Sequence, residues 1–168
     1  MTKKFISTLL SLLCLVVFSS CSVYKNSPSN TEVNFYYLRN STEYNAEDGL
    51  LNAESRSVSE YSSDEDWMNI INLYLKGPID NNYISPFPAG TTLQRYSINN
   101  NAITVFLSNQ ISQLEGYDLT LACACLTKTI MESKSFHAVE IRAEGGKMGD
   151  FISITMTEES LLLLDNFS

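Results

Sequence analysis

Residues 64–76 carry a full set of helix instructions, and Gly77-Pro78 cuts them off abruptly. Ser63 can cap the first turn, with Asp66 three positions later in a capping-box arrangement. Asp64, Glu65 and Asp66 put negative charge at the positive end of the helix dipole. Trp67, Ile70, Ile71, Tyr74 and Leu75 recur at helical spacing and make one apolar stripe. Gly77 suits the left-handed cap position, and Pro78 blocks continuation. A helix with a single apolar stripe must lie on something. Around it the sequence has a period of two, as in Val33, Phe35 and Tyr37 and again in Ile103, Val105 and Leu107. That partner is a sheet.

The period-two segments predict strands over 32–38, 50–58, 91–98, 102–107, 138–142 and 151–156. Glu54 and Arg56 share one face of the second. Asn99-Asn100-Asn101 suits a hairpin, because Asn tolerates positive φ. Residues 79–90 hold Pro86, Pro88 and Gly90 and predict an ordered but irregular loop. A second helix is expected over 118–133, with Leu119, Ala122, Cys123, Leu126 and Ile130 on one side. Gly145, Gly146 and Gly149 mark a turn, and 161–164 is an apolar tail that needs cover. The order ββα, ββα, ββ predicts an α+β two-layer sandwich, with two helices on one face of a mixed or antiparallel sheet.

The amino-terminal residues bear on location. Lys3 and Lys4 precede an apolar run from Phe5 to Phe18, followed by Ser19, Ser20 and Cys21. This is the layout of a secretory leader. The run is shorter than the roughly 18 apolar residues a membrane span requires. Cysteine directly after small residues resembles a bacterial lipobox, which makes Cys21 a lipidation site and the mature amino terminus. Phe18 departs from the usual Leu, Val or Ile three before the cysteine. The plainer reading is a leader followed by a free cysteine. The expected organisation is a lipoprotein leader over 1–20, a lipid-anchored linker over 21–30 and one domain over 31–168. Extended, residues 22–30 span about 30 Å, so the domain would float just above the membrane.

Charge narrows the partners. The net charge of −8 becomes two units more acidic once Lys3 and Lys4 leave with the leader. Such a chain does not favour nucleic acid or an anionic lipid surface. Acyl chains would have to hold it at a membrane, each buried CH₂ adding about 0.8 kcal/mol. A content of 44% hydrophobic residues supplies a core without a disulfide scaffold. Of the four cysteines, Cys123 and Cys125 lie outside the leader and the lipidation site. On a helix their Cβ vectors diverge, so a bridge between them would be strained.

The middle of the chain resembles the GerMN domain, the sporulation and spore-germination module of bacterial lipoproteins. The resemblance rests on Leu75-Lys76-Gly77-Pro78, then Ile84-Ser85-Pro86-Phe87-Pro88-Ala89-Gly90-Thr91-Thr92-Leu93. It continues through Ala102-Ile103-Thr104-Val105-Phe106-Leu107-Ser108, Thr120-Leu121-Ala122, Leu126-Thr127-Lys128-Thr129 and Val139-Glu140-Ile141. Together these cover about residues 33–144. The resemblance implies a ring-building-motif-like fold, an extracytoplasmic role in sporulation, germination or envelope assembly, and no reaction. Two departures stand out: the best-known members carry two copies of the domain, and Cys123-Ala124-Cys125 replaces plain aliphatic or small residues.

Candidate chemical residues each have an ordinary alternative. His137 is the single histidine, with Ser133 and Ser135 near it in sequence. A catalytic triad needs a base beside a nucleophile, and sequence proximity does not supply that. Cys123, Cys125 and one histidine give three metal ligands at most, whereas a closed zinc site wants four. Cys123 falls on the apolar stripe; Cys125 is expected off it and more exposed. Asp64, Glu65 and Asp66 read as capping charges. Glu140, Arg142 and Glu144 should share one strand face opposite Ile141, either as a solvated face or as a docking surface. No phosphate-loop, dinucleotide-binding or zinc-protease motif occurs. The Tyr and Phe residues could form a sugar platform, but Phe35 and Tyr37 fit a core better. The expectation is a membrane-anchored, non-catalytic protein without cofactor or metal. It would bind envelope or sporulation proteins, with a peptidoglycan-binding module as the alternative.

Overall fold

A computed structural model describes residues 30–40, 49–59, 66–134 and 136–165. The leader, Cys21, the linker up to residue 29, Asp64, Glu65 and Ser135 lie outside the described residues. Strand β1 (Asn30–Arg39) and β2 (Leu51–Ser59) are followed by helix α1 (Asp66–Leu75). Then come β3 (Tyr83–Ile84), β4 (Leu93–Asn99) and β5 (Ala102–Leu107). A 3-10 turn (Asn109–Gln113) leads to helix α2 (Gly116–Ser133), β6 (Ala138–Ala143), β7 (Ile154–Met156) and helix α3 (Glu158–Asp165).

The α+β class is as expected, but the strands divide into two sheets where one was anticipated. The first runs β2-β1-β3 and the second β4-β5-β6-β7. The second is mixed: β5 and β6 are parallel, and the other pairs are antiparallel. Helix α2 makes the crossover that a parallel pair requires.

The division has a local cause at Tyr36. Its N–H donates to Thr129 Oγ1 on α2 at 2.9 Å, and its carbonyl accepts from the Tyr74 hydroxyl on α1 at 3.0 Å. Both groups lie on the side of β1 away from β2. A side chain from each helix therefore occupies the edge where the next strand would have paired. Thr129 also donates to the Cys125 carbonyl at 2.9 Å, so its hydroxyl both accepts and donates.

The α1 stripe packs as its spacing dictates. Trp67, Ile70, Ile71 and Tyr74 are buried. Tyr74 stacks on Tyr37 with centroids 4.9 Å apart, and Trp67 meets Phe136 edge-on at 5.4 Å. Gly77, at φ +89°, closes the helix by donating its N–H to the Tyr74 carbonyl at 3.0 Å. Asn100 and Asn101, at φ +47° and +59°, form the two-residue turn between β4 and β5. Positive φ at both positions is the geometry that matches the strand twist.

Helix α2 is apolar nearly all round, with Leu121, Ala122, Cys123, Ala124, Cys125 and Leu126 all buried. Such a helix is covered on every side, here by β1 and by the second sheet. This corrects the expectation for Cys125, which is fully buried like Cys123. Three further differences are local. The irregular loop contains β3, which pairs Ile84 with Leu38 and Tyr83 with Arg39. The last strand is shorter than expected, because Met148 and Phe151 exchange backbone hydrogen bonds and hold the chain in a turn. The apolar tail is part of helix α3, whose Leu161 enters the core.

Candidate interaction surface

In β5, Ile103, Val105 and Leu107 are buried, and in β6 so are Val139, Ile141 and Ala143. Alternation puts Thr104, Phe106, Glu140 and Arg142 on the opposite, outer face of the second sheet. Arg95 joins them, because it pairs with Phe106 across the β4–β5 ladder. The sheet's inner face takes the apolar packing, so these side chains cover one another.

Phe106 is the centre of the face. The Arg95 guanidinium carbon lies 3.3 Å from its ring centroid and that of Arg142 lies 5.8 Å away. An exposed cation–π contact is worth about 0.5–1 kcal/mol, so the pair orders the face more than it stabilises the fold. Glu140 Oε1 accepts from Arg142 Nε and Nη2 at 3.0 and 2.8 Å, while Oε2 accepts from Thr104 Oγ1 at 3.1 Å. Partial burial alone would raise the Glu140 carboxyl. Hydrogen bonds from Arg142, Ser153 and Thr104 outweigh it and hold the group below the usual carboxylate range. Glu144 reaches Arg95, at 3.3 Å. Beside them lies a shallow concavity of about 400 Å³, lined by Arg95, Phe106, Arg142, Lys147 and Ile152. Ile152 is 67% exposed.

Glu140 and Arg142 of β6 share the face as expected, Glu144 lies just past the strand's end and joins them through Arg95, and Arg95 and Phe106 are members that spacing in the sequence did not single out. Phe106 had a signal: it is an aromatic on the polar parity of a strand whose other parity is Ile, Val and Leu. Arg95 had none, since only the ladder places it there.

A second concavity, about 420 Å³, lies between β1, α2 and α3. Tyr36, Lys128, Glu132, Phe136 and Leu161 line it. The Lys128 ammonium sits 4.9 Å from the Tyr36 ring centroid.

The other candidates separate. His137 is exposed, its N–H donating to the Asn101 carbonyl at 3.0 Å. Ser133 donates its hydroxyl to the Thr129 carbonyl at 2.8 Å. Burial pushes the Cys123 thiol up to about 12 and the Cys125 thiol higher still, so neither is a nucleophile near neutral pH. Among the described residues, no group of three or more His, Cys, Asp or Glu converges to hold a metal.

A buried charge pair, Glu54 and Arg56, is built into the fold. Arg56 Nε bonds Glu54 Oε1, and Arg56 Nη2 donates to the Gly77 carbonyl at 2.8 Å and to Tyr37 Oη at 3.2 Å. Glu54 Oε2 accepts the N–H groups of Ile79 and Asp80 at 2.9 and 3.0 Å. The pair staples β2 to the end of α1 and to the loop that follows it.

Residues 34–149 match the Germane family model, described as sporulation and spore germination. Three solved structures are similar. The tandem GerMN domains of the sporulation protein GerM from Bacillus subtilis align with a TM-score of 0.61 at 14% identity, over 84% of this chain and 50% of that one. This chain therefore spans about half of that tandem protein. The first GerMN domain of the same protein aligns at 0.56 and 19% identity, over 77% and 98% of the two chains. An inferred lipoprotein from Clostridium perfringens aligns at 0.51 and 15% identity, over 85% and 97%. No curated protein matches the chain. The match to the family model covers more than half of the sequence, and the chain belongs to the Germane family of sporulation and spore-germination domains.

Proposed function

We propose that this protein is a lipid-anchored, non-catalytic interaction module of the bacterial cell envelope. Residues 1–20 are removed as a leader, Cys21 carries the lipid, and residues 22–29 tether the domain to the membrane. The domain supports sporulation, germination or envelope assembly by docking a partner protein on the outer face of its second sheet. The observation that carries this reading is the Arg95–Phe106–Arg142 cluster, an ordered charged and aromatic surface on a sheet face that the core does not use. Exposed Ile152 beside it adds apolar contact. Aromatic and arginine side chains are what binding surfaces concentrate.

The non-catalytic part is supported by how the reactive groups are engaged. Glu54 and Glu140 are tied to arginines, and the two thiols are buried. The groove lined by Tyr36, Lys128, Glu132 and Phe136 favours a second reading, a peptidoglycan-binding module.

The test is cross-linking and pull-down from native cells with three chains: parent, Cys21→Ala and the double variant Phe106→Ser/Arg142→Glu. Specific envelope or sporulation proteins should be recovered with the parent and lost with the double variant. Cys21→Ala should leave the membrane fraction. Unchanged recovery by the double variant would sink this surface as the docking site. Recovery of wall fragments alone would favour the second reading.

A further inference from the structure

Strand β2 is an edge strand with no partner on its outer side among the described residues. Its register with β1 runs unbroken from Asn30↔Ser59 to Leu38↔Leu51. The N–H and C=O of Tyr36 point away from β2, so its ladder partner Ala53 also points its backbone groups outward. By alternation, Ser55 and Ser57 do the same. The side chains of Ala53, Ser55 and Ser57 are exposed and small. Edge strands are usually blunted by lysine, proline or a bulge, and β2 has none of these.

Its protection among the described residues is the inward-facing pair Glu54 and Arg56, which an arbitrary strand would have to lie against. A second copy of β2 meets that condition in a single register. We propose that β2 pairs antiparallel with β2 of a second copy about a two-fold axis at Ser55, joining the two three-stranded sheets into one. Ser55 then faces Ser55, Ala53 faces Ser57, and Glu54 of each copy faces Arg56 of the other. Outward N–H and C=O groups from Leu51 to Ser59 all find partners. Moving the axis to residue 54 sets Glu54 against Glu54, and moving it to residue 56 sets Arg56 against Arg56. Like charges directly opposite destabilise a pair, whereas opposite charges favour it. Ile79, 76% exposed with its N–H on Glu54, adds apolar surface beside the seam. The interface is isologous and closes at two. It leaves the outer face of the second sheet free, so it stands or falls separately from the docking reading above.

Disulfide trapping tests it in membranes from cells expressing the full chain. The parent sets the background from any unprocessed chain that keeps the Cys14 and Cys21 thiols; Cys123 and Cys125 are fully buried. Hydrogen-bonded antiparallel partners have Cα atoms about 5.5 Å apart, within the span of a disulfide. Ser55→Cys should therefore cross-link to itself on mild oxidation. Ser57→Cys should not, because the two copies of residue 57 lie about 14 Å apart along the strands. Co-expressed Ala53→Cys and Ser57→Cys chains should form the mixed dimer. If Ser55→Cys cross-links no more than Ser57→Cys, or stays monomeric, the proposal is wrong.

Discussion

Replacing Arg56 with methionine should destabilise the domain by about 3 kcal/mol. The Arg56 and Glu54 side chains are only 7% and 10% exposed. Methionine keeps most of the aliphatic packing and deletes the charged head, which leaves the Glu54 carboxylate without its counter-charge. Removing one member of a buried pair costs about 3–5 kcal/mol. The lower end applies because Glu54 keeps the N–H bonds from Ile79 and Asp80. Against a total stability of about 5–15 kcal/mol, this is a large loss, and it lowers Tm by about 10 °C. Urea unfolding measures it. The double variant Glu54→Gln/Arg56→Met should recover most of the loss, because no unpaired charge remains; with the Glu54→Gln single completing the cycle, the coupling should reach at least about 2 kcal/mol.

The pH dependence has a definite sign. Partial burial would raise the Glu54 carboxyl, but hydrogen bonds from Asp80 and Arg56 outweigh it and hold the group below its ordinary value. Its stabilisation is present above that ordinary value and is lost as pH falls through the depressed one. In Arg56→Met protonation relieves the stranded charge, so the deficit should narrow in acid. A single variant within about 0.5 kcal/mol of the parent, or a strictly additive double, would refute the reasoning.

Other expectations follow from single contacts. Thr127 Oγ1 is buried without a hydrogen-bond partner among the described residues; Thr127→Val removes the unsatisfied hydroxyl at equal shape and should stabilise by about 1 kcal/mol in urea unfolding. Thr129→Val strands the Tyr36 N–H instead and should cost about 1–3 kcal/mol, with faster hydrogen exchange at that amide. Cys123 and Cys125 should resist alkylation at pH 8 in the native state and react together on unfolding, as measured by mass spectrometry.

Local order was legible because local chemistry dictates it. The α1 stripe, the Gly77 stop and the asparagine hairpin each follow from side-chain spacing or permitted φ; the first two appear where the residues put them, and the hairpin turn narrows to Asn100 and Asn101 because Asn99 pairs with Ala102. Parity also placed Glu140 and Arg142 on one face, and it held the clue to Phe106. The family was legible in the same region, because Gly77-Pro78 and Pro86-Phe87-Pro88-Ala89-Gly90 punctuate the chain at fixed places.

What tertiary structure alone decided were relations between distant elements. Hydropathy alternation says that β1 has a buried face and is silent on what sits at its edge. The split into two sheets depends on Thr129 and Tyr74 reaching Tyr36 from two helices. Periodicity gave α2 one apolar side, yet Cys125 is buried because β1 and the second sheet enclose the helix together. Arg95 joins the candidate surface through ladder register, and Arg56 becomes a buried charge through the α1 terminus beneath it. Spacing along a chain fixes which residues share a face, whereas which face meets which is set by packing across the whole fold.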